Sequence, residues 1–539
     1  MRTPPVEWIL VNGRVYTQDP QRPEARAVAV GGGRILAVGS DADIEHTAGP
    51  DTRRIDLNGR TVLPGFVDAH IHFYEWALKR RNLALAELPS FQALLETVRE
   101  AAAQAPSGSW ILGQGWNEVD WPENRMPTRT DLDGVAPDHP VVLWRCDLHL
   151  AAANSRALAA AGIHRGTPDP AGGEIDRDAE GRPTGILREL AIHPLRRVIP
   201  PPTGSDTDAA LQDGASALHR VGITGIHDIR LMNDPDGPAA LQAFQRLNTA
   251  GQLALRCWVT IPGDRAEAAA ALGLRTGFGD ARLRIGHLKY FADGGMGART
   301  AWMVEPFLDA GCGMPTMTGE ELLWQVQRAD SAGLAVMIHA VGDHALREII
   351  TAFEQLEKTS DPNAGPSVPH RIEHAQMIHP DDLPRLAKLP VAVSMTPPNM
   401  ILDINLVDTC LGPRGRWAYA FRDVWDSGVP VMFSSDCPVC DPAPLIGIYA
   451  AVTRRRRDGT PPRGWYPEGR MTVAEAVAAY TRIPAAVHGL SHEQGIIAPG
   501  RRADLLALGR DIYRIDPMEI PEVEVDLTAF DGEIVHRNF

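Results

Sequence analysis

One unit recurs through the middle of this chain: a helical stretch, a glycine, a short apolar run, and then a polar residue. Gly333-Leu-Ala-Val-Met-Ile-His339 shows it, as do Gly222-Ile-Thr-Gly-Ile-His-Asp228 and Gly428-Val-Pro-Val-Met-Phe-Ser-Ser-Asp436. Apolar runs of this length that alternate with helices are strands buried on both faces and paired in parallel. The helix before Gly333 opens with a capping box, Thr318 followed three residues later by Glu321. Eight such runs end near His72, His227, Thr260, Lys289, His339, His374, Thr396 and Asp436. Eight is the number that closes a parallel sheet on itself. The expected fold class is therefore α/β, a (β/α)8 barrel of the TIM-like kind, with the polar residues gathered at one rim.

The chain ends have a different texture. Short apolar segments at 8–12, 15–17, 27–30 and 35–38 are separated by turns, including Gly31-Gly32-Gly33. The same pattern returns at 503–508, 523–527 and 533–536. Residues 1–62 plus 490–539 are expected to build one discontinuous β-sandwich. The barrel then occupies 63–489. After its first strand comes a long excursion at about 75–205, with strand-like stretches at 110–116 and 141–150 and a hairpin-like stretch at 172–187. An insertion there covers or shapes the mouth of a barrel.

A formal charge of −15 argues against a nucleic-acid surface, which needs positive potential. The basic run Arg454 to Arg457 reads as a solvated helix end or loop. Six cysteines, at 146, 257, 312, 410, 437 and 440, are too scattered for a disulfide framework, and Cys437 and Cys440 form a CxxC without a second pair. The first residues lack a signal-peptide pattern, and no run of 18 apolar residues exists. The expectation is a cytoplasmic protein acting on a small molecule, with no nucleic-acid or membrane partner, and a homodimer as the commonest assembly.

The chemistry starts at Gly65-Phe-Val-Asp-Ala-His70-Ile-His72. Side chains two apart on a strand share a face, so His70 and His72 can hold one cation together. His339, His374 and Asp436 stand where other barrel strands end, and each alone reads equally as a satisfied core polar group. Together, four imidazoles and a carboxylate match the ligand set of zinc or a similar divalent ion. Lys289 lies inside an apolar run. It is either salt-bridged, for example to Asp293, or carboxylated by CO2 so that it becomes an anionic bridge between two ions.

The chain resembles the amidohydrolase superfamily, and within it the YtcJ-like amidohydrolases that include N-substituted formamide deformylases. The resemblance rests on Gly113-Gln-Gly-Trp116 with Trp121-Pro-Glu123, and on Pro140-Val-Val-Leu-Trp-Arg145 with His149 and Asn154-Ser155. It continues through Gly172-Gly-Glu174, Gly181-x-Pro-Thr-Gly185 with Arg188-Glu189, and Lys289-Tyr-Phe-Ala-Asp-Gly294 with Arg299-Thr-Ala301. The C-terminal half adds Ile338-His-Ala-Val-Gly-Asp343, Arg371-Ile-Glu-His-Ala-Gln376 and Ser435-Asp-Cys-Pro438. It implies a barrel plus a terminal β-sandwich, and metal ligands His70, His72, Lys289, His339, His374 and Asp436. Glu189 is the competing acidic ligand. The chain departs from the family after the seventh strand, where Met395-Thr-Pro-Pro398 replaces the usual Gln-Pro.

The expected function is a metal-dependent hydrolase that cleaves an amide-type C–N bond with one or two zinc ions. Asp436 relays the proton, His149 helps hold the oxyanion, and Trp116, Asp293 and Arg299 are candidate substrate contacts, each with an equal reading as packing or pairing. The alternatives are a mononuclear deaminase-like enzyme and a non-catalytic regulatory relative.

Overall fold

Eight strands pair in parallel, each beside its neighbours in chain order. They are β1 (Phe66–Ile71), β2 (Ile223–Asp228), β3 (Arg256–Pro262), β4 (Leu283–Phe291), β5 (Val336–Ala340), β6 (His370–His374), β7 (Val391–Met395) and β8 (Val431–Phe433). The computed structural model describes residues 4–146, 149–170, 172–232, 237–359 and 365–539. Every residue of β2, β6, β7 and β8 is buried, as strands covered on both faces must be. Helices supply the cover. Asp343–Thr359 turns Leu346, Ile349, Ile350 and Phe353 inward at helical spacing. The capping box before Gly319–Ser331 forms as the sequence predicts.

The read strand ends hold to within a few residues. Thr260 and Lys289 each lie two residues inside their strands, His339 lies one inside, and Asp436 lies three beyond β8.

Closure joins β1 to β8. Backbone bonds run from Asp436 N–H to the His70 carbonyl at 2.9 Å and from His72 N–H to the Cys437 carbonyl at 2.8 Å. Asp68 adds a side-chain staple. Its carboxylate accepts from Ser435 Oγ at 2.6 Å, Ser435 N–H at 3.1 Å and His70 N–H at 3.1 Å.

The terminal segments build two further sheets. One holds Trp8–Val11, Ala27–Gly31, Arg34–Gly39 and Arg53–Asp56. The other pairs Arg14–Tyr16, Glu24–Ala25 and Thr61–Pro64 with Leu505–Leu508, Val525–Phe530 and Glu533–Arg537. Leu10, Val28, Val62, Leu505 and Leu527 share one core between them. Thr61–Pro64 pairs with Leu505–Leu508 and runs straight into β1 through Gly65. A Cβ at Gly65 would lie 2.2 Å from Thr224 Oγ1, so only glycine fits that crossing.

Arg256, at the start of β3, ties barrel to sandwich. Its guanidinium bonds Asp504 Oδ1 at 2.8 Å and Asp531 Oδ1 at 3.0 Å, both on the C-terminal strands' loops.

Residues 75–211 form a second compact unit. Its six-stranded mixed sheet runs Gly173–Arg177, Pro183–Glu189, Leu150–Ala153, Val141–Arg145, Ile111–Trp116, Leu83–Ala84. The stretch at 141–150 divides into two antiparallel strands rather than one run. Among the described residues no helix is long and apolar enough to cross a membrane.

Breaking a buried ion pair from one side strands the other charge, at about 3–5 kcal/mol. Asp504→Ala is expected to lose about 3 kcal/mol, because Asp531 still holds Arg256. The unfolding midpoint in urea measures it, and an unchanged midpoint refutes the docking role.

Candidate metal centre

At the rim, four imidazoles and one carboxylate draw together. Asp436 Oδ1 lies 3.5 Å from His70 Nε2 and 3.4 Å from His72 Nε2. Ligand atoms of His70, His374 and Asp436 lie within 4.8 Å of one another. The His374 ring centre is 4.9 Å from that of His70 and 4.6 Å from that of His339. Local backbone aims these groups. His374 (φ 67°), Ala375 (φ 41°) and Asp436 (φ 58°) all adopt the left-handed conformation that non-glycine residues rarely take. Such outliers persist where the surroundings over-determine them, and at Asp436 the closing bond to the His70 carbonyl contributes to this.

Electrostatics favours a cation. Burial first, then neighbouring positive charge, lowers His70 to about 4. Burial likewise lowers His374 to about 3 and holds His339 well below the ordinary range. Burial thus favours the neutral form of all three rings, the form with a lone pair to donate. Burial opposes ionisation of Asp436, but the His72 hydrogen bond and the His374 and His70 rings outweigh it and hold it well below the carboxylate range. Neutral imidazoles around an ionised carboxylate are what a divalent ion requires, so these residues fit one.

Behind the rings lies a second layer. Glu373 Oε2 is 2.5 Å from His70 Nδ1. Arg371 grips both Glu373 oxygens at 3.0 Å, and also reaches the Ala69 carbonyl at 2.7 Å and His227 Nδ1 at 2.6 Å. Burial works against the Glu373 charge, yet Arg371 and then His70 keep it well below the usual range.

Against this geometry, the sequence pattern of the amidohydrolase family matches residues 53–536. The chain belongs to that family. It is 32% identical to the Bacillus subtilis protein YtcJ over 97% of this chain and 98% of that one. It is 30% identical to the N-substituted formamide deformylase of Arthrobacter pascens, over 97% of each. A crystal structure of an uncharacterised metal-dependent hydrolase from Pyrococcus furiosus superposes with a TM-score of 0.76 at 28% identity, covering 94% of this chain and 100% of that one.

In this amidohydrolase, Lys289 is wholly buried, with its ammonium 4.6 Å from the Phe291 ring centre. Burial lowers it to about 8, although Glu373 and Asp436 oppose the shift. Lys289 in turn depresses His70, His339 and His374, which places it within the cluster's field. Asp293 is not its partner. That carboxylate accepts from Val341, Gly342 and Trp302 N–H and lies 3.8 Å from His339 Nε2, so it orders the loops beside that ring. Burial raises Asp293 to about 7.

The other expected contacts are engaged elsewhere. Arg299 pairs with Asp309 at 2.7 Å and bonds the Met296 carbonyl. Trp116 is fully buried in the core of the inserted unit, with its indole N–H on the Leu143 carbonyl at 3.0 Å, which is the packing role. His149 and Glu189 also belong to that unit. They pair at 2.9 Å on its exposed face, with Glu189 at φ 49°. After β7, Thr396, Pro397 and Pro398 are buried, and the prolines open the helix Pro397–Leu411.

The sequence motifs include Asp68, Arg371, Glu373 and Ser435, but the sequence alone assigned none of the four a role. For Arg371 and Glu373 the available signal was charge inside a strand that buries every residue.

A ligand that binds only the folded state stabilises it by about 2.7 kcal/mol at a hundredfold excess over Kd. Zn2+ added to chelator-treated protein is expected to raise Tm accordingly. His72→Ala and His374→Ala should remove most of that rise. An equal rise in both variants would show that the ion binds elsewhere.

Proposed function

We propose that this amidohydrolase cleaves the amide-type C–N bond of a small N-formyl or N-acyl compound, using zinc held by His70, His72, Lys289, His339, His374 and Asp436. The observation that carries it is the Asp436 carboxylate, set 3.5 Å from His70 Nε2 and 3.4 Å from His72 Nε2 at the rim. The likeness to a formamide deformylase along nearly the whole chain supports the bond type.

When bound, a divalent ion polarises the carbonyl and acidifies a water toward pKa of about 7. The chain's residues do the rest. Asp436 accepts the proton of the attacking water at its carboxylate and passes it to the leaving nitrogen. Glu373 holds the His70 ring in line. Lys289, as a free amine, can add to CO2: Nζ bonds the carbon, one N–H proton leaves, and an anionic carbamate results. That group suits a site rich in imidazole and allows two ions where the unmodified lysine suits one.

The test is a screen of zinc-, manganese- and iron-loaded protein on N-formyl and N-acyl amines, with metal content and intact mass measured in parallel. Asp436→Asn is expected to lower kcat by about 10²–10⁴-fold while metal stays bound. Full activity in that variant would reject the role. One ion per chain without added CO2 mass would favour a mononuclear, deaminase-like form.

A further inference from the structure

Arg371 is an unusual residue to find on a barrel strand. It is wholly buried on β6, three residues before His374, and it lies among buried His227 and Glu373. One guanidinium makes four contacts: Nε to Glu373 Oε1, one terminal nitrogen to Glu373 Oε2 and to the Ala69 carbonyl, and the other to His227 Nδ1. Each contact has a consequence. The bidentate pair fixes Glu373 as an acceptor, so the proton between Glu373 and His70 belongs on His70 Nδ1. The His70 Nε2 lone pair is thereby left facing Asp436. The bond to Ala69 holds the backbone immediately before His70. Donation to His227 Nδ1 puts that ring's own proton on Nε2.

We propose that Arg371 is a positioning residue for the metal: through Glu373 and Ala69 it sets the tautomer and orientation of His70. It touches no ligand atom itself. Groups that orient a ligating histidine from behind typically change metal affinity about 10- to 100-fold. Lysine cannot replace it, because a single ammonium cannot span two carboxylate oxygens, a carbonyl and an imidazole at once.

The inference rests on the metal-site reading above, and the experiment separates the two. Full-length wild type, Arg371→Lys, Arg371→Met and Glu373→Gln are stripped with chelator. Folding is checked by circular dichroism, and Zn2+ affinity is measured by competition with a chromophoric chelator. The His70 tautomer in the metal-free protein is read from histidine side-chain 15N shifts, assigned with His70→Gln. Wild type should show His70 protonated at Nδ1. The folded variants should bind Zn2+ about 10- to 100-fold more weakly, with Arg371→Lys no better than Arg371→Met. Wild-type affinity in a folded Arg371→Lys overturns the inference while leaving the metal site standing. A wild-type His70 protonated at Nε2 overturns it even if every variant misfolds. Wild type that binds no Zn2+ overturns the metal-site reading and this inference with it.

Discussion

The site exists because β1 meets β8. Those strands are separated by most of the chain, and nothing local brings them together. The Asp68 carboxylate does so by collecting three donors, two from Ser435 and one from His70. Burial raises Asp68 to about 7, with Ser435 working against the shift. An acceptor with this many donors is worth its desolvation, since an unmet buried donor costs about 1–3 kcal/mol. The staple therefore closes the barrel and, through His70 N–H, also fixes the backbone from which the His70 ring projects.

Charge is then arranged in layers away from that seam. The outermost layer holds Asp436 among the imidazoles. Behind His70 stands Glu373 and behind Glu373 the Arg371 guanidinium, with Lys289 buried in the same field. Isolated, any of these charges would be costly at such depth. In sequence they compensate one another, and the neutral rings between them leave a place for positive charge at the rim.

Much of this was legible in the chain. A parallel strand covered on both faces reads as a continuous apolar run, so most of the eight strands could be counted directly. A polar residue at the end of such a run is conspicuous, and that is how His70, His72, His339, His374 and Asp436 stand out. The rest was hidden for physical reasons. β6, His370-Arg-Ile-Glu-His374, carries one apolar residue in five and shows no period, so the buried roles of Arg371 and Glu373 could not be separated from surface charge. Asp68 and Ser435 find each other only in three dimensions. Trp116 illustrates the opposite failure, because an aromatic that lines a pocket and one that fills a core look alike in a string of letters.

The left-handed backbone at His374 and Asp436 has a consequence beyond geometry. A non-glycine residue in that conformation costs about 1–3 kcal/mol. Glycine at either position would relax the chain and remove an imidazole or a carboxylate from the rim. Backbone ease and the side chain at the rim therefore pull in opposite directions at both positions, so a substitution that gains stability there takes a polar group from the cluster.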